Sequence, residues 1–199
     1  MKKDEQLLED FIGGDEQAFE MLVDRYLKPL YNFIFQLVGD KTASEDIVQD
    51  VFVKVWKNLK RFNQEKKFST WLYAIAKNTA FDWLKKKKAL PFSFFETADG
   101  NNFLENIEDQ TISNTEALWE RMDNTKDAQN FLASLSPKLR TVLFLHHNEG
   151  FSLVEIAEIF GQPSNTVKSQ YRRAIFSLRE KFSASRMNSK VAPKPFSAS

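Results

Sequence analysis

Asn165, Lys168, Ser169 and Arg172 fall at i, i+3, i+4 and i+7 of "SNTVKSQYRRAIFSL", with Arg173 beside them and Ser164 and Thr166 in the first turn. That spacing places them along one face of a helix. Asn and Arg can pair bidentately with adenine and guanine edges, Lys attracts phosphate, and Ser or Thr serves either purpose. The chemistry is recognition of a duplex. Bond-making chemistry has few candidates, because the chain has no cysteine and only two histidines, His146 and His147. The first fact excludes a thiolate zinc site and a disulfide framework. The second offers adjacent helical residues, whose side chains diverge. We therefore assign no catalytic residue, no metal and no other cofactor, and expect the chain not to be an enzyme.

The stripe needs a scaffold, and the flanking residues supply one. Val167, Tyr171, Ala174, Ile175 and Leu178 form the opposite, apolar arc of the same helix. Before it, Ser152 and Glu155 make a capping box for a helix burying Leu153, Ile156, Ala157 and Phe160, and Gly161 and Pro163 mark a tight turn. Two short helices so joined predict a helix-turn-helix, whose second helix enters the major groove. Upstream, Ser136 and Pro137 open another helix with Leu139, Val142, Leu143 and His146 inward, ended by Gly150. Periodicity already resumes at Ala128, Phe131, Leu132 and Leu135.

The N-terminal half reads as three further helices. The first has Asp15 as N-cap and Gly39 as its stop, with a kink expected at Pro29. The second opens on a Thr42–Glu45 capping box and buries Val48, Val51, Phe52, Val55 and Leu59. The third buries Trp71, Leu72, Ile75, Ala76, Thr79, Trp83 and Leu84, and this block ends near Lys88. Residues 89–126 lose the pattern and read as an acidic linker with one short helix near 116–122, while the Ser/Ala/Pro-rich tail, residues 184–199, is expected to be disordered. The fold class is all-α, two small helical domains joined by that linker.

Charge divides the chain in the same places. The net charge of +1 splits into −7 over residues 1–50, +9 over 51–88, −7 over 89–127 and +6 over 128–199. Two basic blocks separated by acidic ones imply two separate polyanion-facing surfaces. No run approaches the roughly 18 apolar residues of a membrane span, and "MKKDEQLLEDF" lacks a signal core, so a cytoplasmic location without membrane insertion is expected.

In order along the chain, "AFEMLVDRYLKPLYNFI", "ASEDIVQDVFVKVWKNLKRF", "FSTWLYAIAKNTAFDWLKKKK" and "LSPKLRTVLFLHHNEGFSLVEIAEIFGQPSNTVKSQYRRAIFSLREKF" resemble the extracytoplasmic-function (ECF) group of bacterial sigma factors, the two-domain members of the primary sigma family. The resemblance covers roughly residues 8–88 and 127–182. It implies a transcription initiation factor that binds core RNA polymerase and promoter DNA and is commonly held inactive by an anti-sigma factor. It also implies that the "EDIVQDVFVKVW" helix contacts polymerase. Asp46, Gln49, Asp50 and Val53 form an outward stripe there, and carboxylates mixed with an apolar residue suit a protein partner better than DNA.

By the same resemblance, the third helix and the loop before it meet the minus-ten element, with Asn63, Gln64, Lys66, Lys67, Lys77, Asn78, Asp82 and Lys85 as the candidate contacts. Phe62 through Phe68 would form the pocket for a flipped nontemplate base, which needs a polar edge and flanking cations. Trp71 and Trp83 are assigned to the core. The implied domains are 1–88 for polymerase and the minus-ten element, 89–126 as linker, and 127–183 for the minus-thirty-five element. The aromatic run "LPFSFFE" has no counterpart in this pattern. The rival reading is a stand-alone helix-turn-helix repressor or activator. A recombinase or a response regulator would need an α/β frame that the sequence lacks.

Overall fold

A computed structural model describes residues 2–87, 132 and 135–190, with side chains up to residue 180. Every regular element among the described residues is helical. They are α1 (Asp4–Ile12), α2 (Glu16–Val38), α3 (Lys41–Asn58), α4 (Phe68–Lys86), α5 (Pro137–His147), α6 (Leu153–Phe160) and α7 (Ser164–Lys190), with a 3₁₀ turn, Leu59–Arg61, after α3.

Local chemistry accounts for most of the boundaries. The Asp15 side chain accepts from the N–H of Gln17 at 3.0 Å, and α2 ends at Gly39, whose φ of 69° lies in the left-handed region that glycine enters without steric cost. Pro29 lies inside this helix. The Thr42–Glu45 cap expected for α3 is not the one observed. Asp40 caps the helix, accepting from the N–H of Ala43 at 3.0 Å. The helix thus starts directly after Asp40 and leaves Thr42 inside the first turn. At the other end of the chain, Ser136 caps α5, and Ser152 and Glu155 form the expected capping box on α6.

Two helical segments differ from the sequence reading. No helix was anticipated before Asp15, yet α1 buries Leu7, Leu8 and Phe11. Asp4 ties it to α2 by an ion pair with Arg25 and a hydrogen bond from the Tyr26 hydroxyl. Its N-cap is Lys3, outside the Ser, Thr, Asp and Asn class that signals a helix start. In addition, α7 continues to Lys190, whereas the tail was expected to be disordered from residue 184. No glycine or proline intervenes before Pro193, so nothing in the sequence forces the helix to stop. The linker with its short helix, the aromatic run, Lys88, Ala128, Phe131 and the residues beyond 190 lie outside the described residues.

The core begins with α2, α3 and α4, which bury Leu30, Phe33 and Ile34, then Val48, Val51 and Val55, then Leu72, Tyr73, Ala76 and Ala80. A second set, Val142, Leu143, Leu145, Ile156, Ile159, Val167, Ala174 and Leu178, holds α5, α6 and α7 together. The two sets are contiguous. Phe33 of α2 meets Tyr73 at 5.1 Å and Phe144 of α5 at 6.5 Å between centroids, and Tyr73 meets Phe151 edge-on at 4.9 Å. Thus α5 packs on α2 and α6 on α4.

Trp71 and Trp83 line the margin of this core rather than its interior. Trp71 packs against Phe62 and Phe68 at 4.9 and 5.9 Å, and the Lys87 ammonium sits 4.2 Å from the Trp83 ring centroid. Both remain half-buried because the indole outreaches the apolar arc of α4.

Candidate nucleic-acid interface

The helix-turn-helix is built from α6 and α7. Gly161, at φ 62°, ends α6 and redirects the chain, and the Gln170 amide donates to Gln162 Oε1 at 3.1 Å, fixing α7 to the turn. Val167, Gln170, Tyr171, Ala174, Ile175 and Leu178 are buried. On the free side Asn165 and Lys168 are exposed, and Ser164, Thr166, Ser169, Arg172 and Arg173 are half-buried. The α7 candidates therefore occupy the surface left by the buried arc.

The two histidines do not diverge as expected. Their rings lie 4.9 Å apart edge-on, and both pack on Tyr171, to which His147 Nε2 is joined at 3.1 Å from the hydroxyl. Burial first, then the neighbouring His146, pushes His147 down to about 4. His147 is held neutral by that burial, and both rings pack between α5 and α7.

On α3, Asp46, Gln49, Asp50 and Val53 are all exposed, whereas Ile47, Val48, Val51 and Val55 are buried. Trp56 extends this outward stripe. It is 43% exposed, and its inner edge rests on Phe11 and Phe19 at 4.9 and 4.8 Å. A large aromatic held rigidly and half-open is a typical interface anchor. The sequence reading omitted it. Its spacing from Val53 was the available signal.

The minus-ten candidates separate into three groups. Asn78, Asp82 and Lys85 are exposed along one face of α4. Asn78 lines an open groove of about 410 Å³ between α3 and α4, together with Lys54, Asn58, Arg61, Trp71, Ile75 and Thr79. Lys54 reaches across it to Thr79 Oγ1 at 2.9 Å. Lys54, Asn58 and Arg61 were missed because they belong to α3 and the 3₁₀ turn, elements that the sequence reading gave to another partner.

Asn63, Gln64 and Lys66 are exposed on the loop before α4. There Asn63 Oδ1 accepts from the N–H of Glu65 at 2.9 Å, so Asn63 shapes the loop. The third group, Lys67 and Lys77, turns toward α6. Lys67 pairs with Glu155 at 2.5 Å. Lys77 is only 8% exposed, with its ammonium 3.4 Å from the carbonyl oxygen of Phe160 and near the rings of Phe81 and Phe160. Lys77 cannot share the face of Asn78, since consecutive helical residues point about 100° apart.

Comparison with known proteins adds the following. Residues 22–90 match the family described as Sigma-70 region 2, and residues 126–175 match Sigma-70, region 4. The chain is 32% identical over 170 residues to the ECF RNA polymerase sigma factor SigW of Bacillus subtilis, covering 84% of this chain and 90% of that protein. It is 33% identical over 172 residues to the ECF RNA polymerase sigma-E factor of Escherichia coli K12, covering 86% and 90%. Among solved structures, the sigma factor RpoE in complex with the anti-sigma factor NepR, from Bartonella quintana, has a TM-score of 0.60 and 25% identity, covering 89% of this chain and 99% of that one. CnrH in complex with the cytosolic domain of CnrY has a TM-score of 0.63 at 23% identity, covering 91% and 97%, a likeness of fold.

Proposed function

The chain belongs to the ECF family of RNA polymerase sigma factors, and from that premise we propose how its residues divide the work. It is a transcription initiation factor that binds core RNA polymerase and directs it to specific promoters. Promoter DNA and the polymerase are its partners, with an anti-sigma factor as the regulatory one. Its place in the wider primary sigma family rests on the sigma-70 descriptions of its two matched regions. Among the described residues no helix is long and apolar enough to cross a membrane. Action in the cytoplasm, where its DNA and polymerase are met, follows from the proposed role.

Residues 1–88 take the polymerase and the minus-ten element, residues 89–126 connect, and residues 127–183 read the minus-thirty-five element. Polymerase meets Asp46, Gln49, Asp50 and Val53, with Trp56 as an apolar anchor. The unpaired minus-ten strand lies along the α3–α4 groove. Asn78 offers a base a hydrogen-bonding edge there, Trp71 offers a ring margin for stacking, and Lys54, Arg61, Lys66 and Lys85 attract phosphates. Ser164, Asn165, Thr166, Lys168, Ser169, Arg172 and Arg173 face the major groove of the minus-thirty-five element.

The observation that carries this division is the exposed α3 stripe. Two carboxylates beside Val53 and Trp56 repel DNA yet suit a protein surface, and they stand next to a groove that is basic. Replacing both Asp46 and Asp50 by Lys is expected to abolish co-purification with core polymerase while leaving the helical circular-dichroism signal unchanged. Wild-type polymerase binding by the variant contradicts the assignment.

A further inference from the structure

The helix α7 does not stop where its buried arc does. Among its side chains described, up to residue 180, Leu178 is the last one buried, yet the backbone stays helical to Lys190. Residues 179–190 therefore form an overhang of about 18 Å at 1.5 Å per residue. Neither glycine nor proline falls between Ser164 and Lys190, so the helix has no residue of the kinds that kink one.

The register of this overhang is that of the reading face. From Arg172 the same stripe runs on through Phe176, Arg179, Ser183, Arg186 and Lys190, in steps of four, three, four, three and four. Such steps keep successive positions on one side of a helix. At about 100° per residue, Asn165, Lys168, Arg172, Arg179, Arg186 and Lys190 share an arc of roughly 60°. The helix carries seven lysines and arginines and one acid, Glu180, so five of its seven cations fall on that arc and only Arg173 and Lys181 lie off it. Phe176 is the apolar residue of the stripe, 41% exposed, and a phenyl ring suits a thymine methyl.

Length decides which part of a duplex the added cations can reach. Asn165 to Arg172 spans about 10 Å along the helix, within the roughly 12 Å width of the major groove. Arg179 to Lys190 stand about 10 to 27 Å beyond Arg172, past the groove's width. Base edges are out of reach there, and sugar-phosphate backbone is what remains. A reading helix whose C-terminal end rests on the backbone is one of the established docking geometries.

Resting on the minus-thirty-five role proposed above, we infer that residues 179–190 are a phosphate rail, in which Arg179, Arg186 and Lys190 prolong the reading face of α7 onto the backbone flanking the element. The rail adds affinity and register without adding sequence preference, since phosphates carry no base identity. Its occupant is duplex DNA, because the stripe continues a DNA-facing surface and every charge on it is positive.

The test uses the full chain assembled with core polymerase and a promoter duplex, titrated at several salt concentrations. Each neutralised phosphate contributes about 0.9 to the slope of log affinity against log salt, so Arg179→Gln, Arg186→Gln, Lys190→Gln should lower that slope by about two to three. Gln matches Arg and Lys in helix propensity, so the helical circular-dichroism signal should persist. Lys181→Gln, about 200° round the helix from Arg179, should leave the slope unchanged. Inserting two alanines between Ser183 and Ala184 keeps every charge but turns Arg186 and Lys190 by about 200°, and should lower the slope by about two. Base preference in a promoter library should stay as in the wild type for all three variants. A wild-type slope in the triple variant, or in the insertion variant, overturns the rail. So does a loss of core-polymerase affinity in place of DNA affinity, which would give the stripe to an acidic protein surface. Transcription by the wild type with unchanged slopes removes only the rail, whereas absence of promoter-dependent transcription defeats the sigma-factor assignment itself.

Discussion

Arg172 and Lys168 share one face of α7 but are assigned different tasks, and their substitutions should differ in kind. If Arg172 pairs with a guanine edge, Arg172→Ala costs about 1–3 kcal/mol and relaxes preference at one base pair. Lys168→Ala, removing a phosphate contact, weakens all promoters about equally and lowers the salt slope by about one. Transcription from a promoter library at several salt concentrations checks both. His147 supports the same helix from behind. Its imidazole, ordinarily near 6.5, is pushed down to about 4, chiefly by burial. Between those values the unfolded chain binds a proton that the folded chain refuses, so stability is complete above pH 6.5 and declines as pH falls toward 4. Thermal melts across that window should show the decline, and His147→Gln should flatten it.

At the scale of elements, what the sequence disclosed depended on how local the determining interaction is. The helix-turn-helix was legible because Ser152, Glu155, Gly161 and the Val167–Tyr171–Ala174 arc all act within a few residues. The outward stripe of α3 was legible for the same reason. By contrast, α1 was not, since Asp4 finds its partners more than twenty residues away on α2, by the spacing of 21 and 22 to Arg25 and Tyr26. The α3–α4 groove draws residues from three elements, so reading them one helix at a time could find Asn78 but not Lys54 or Arg61. Lys77 was misplaced because its surroundings are set by α6, 83 residues away at Phe160. The choice of cap on α3 is directly testable. Asp40→Ala should cost about 1 kcal/mol in chemical denaturation, and Thr42→Ala close to nothing. The reverse order would restore the Thr42 cap that the sequence suggests.

The whole molecule is two charge-patterned helical blocks whose surfaces are individually suited to protein and to DNA. The central claim is promoter selection by core polymerase, and run-off transcription measures it most directly. A promoter library transcribed by core enzyme with the wild-type chain should yield discrete starts at sequences sharing a minus-thirty-five and a minus-ten element. Those starts should vanish without the chain and with the Asp46→Lys, Asp50→Lys variant. Asn78→Ala should lose more activity on duplex templates than on pre-melted ones, because unstacking a base costs on the order of a few kcal/mol that a pre-formed bubble has already met. Transcription that is indifferent to the added chain, or equal with the wild type and the Asp46/Asp50 variant, would contradict the account.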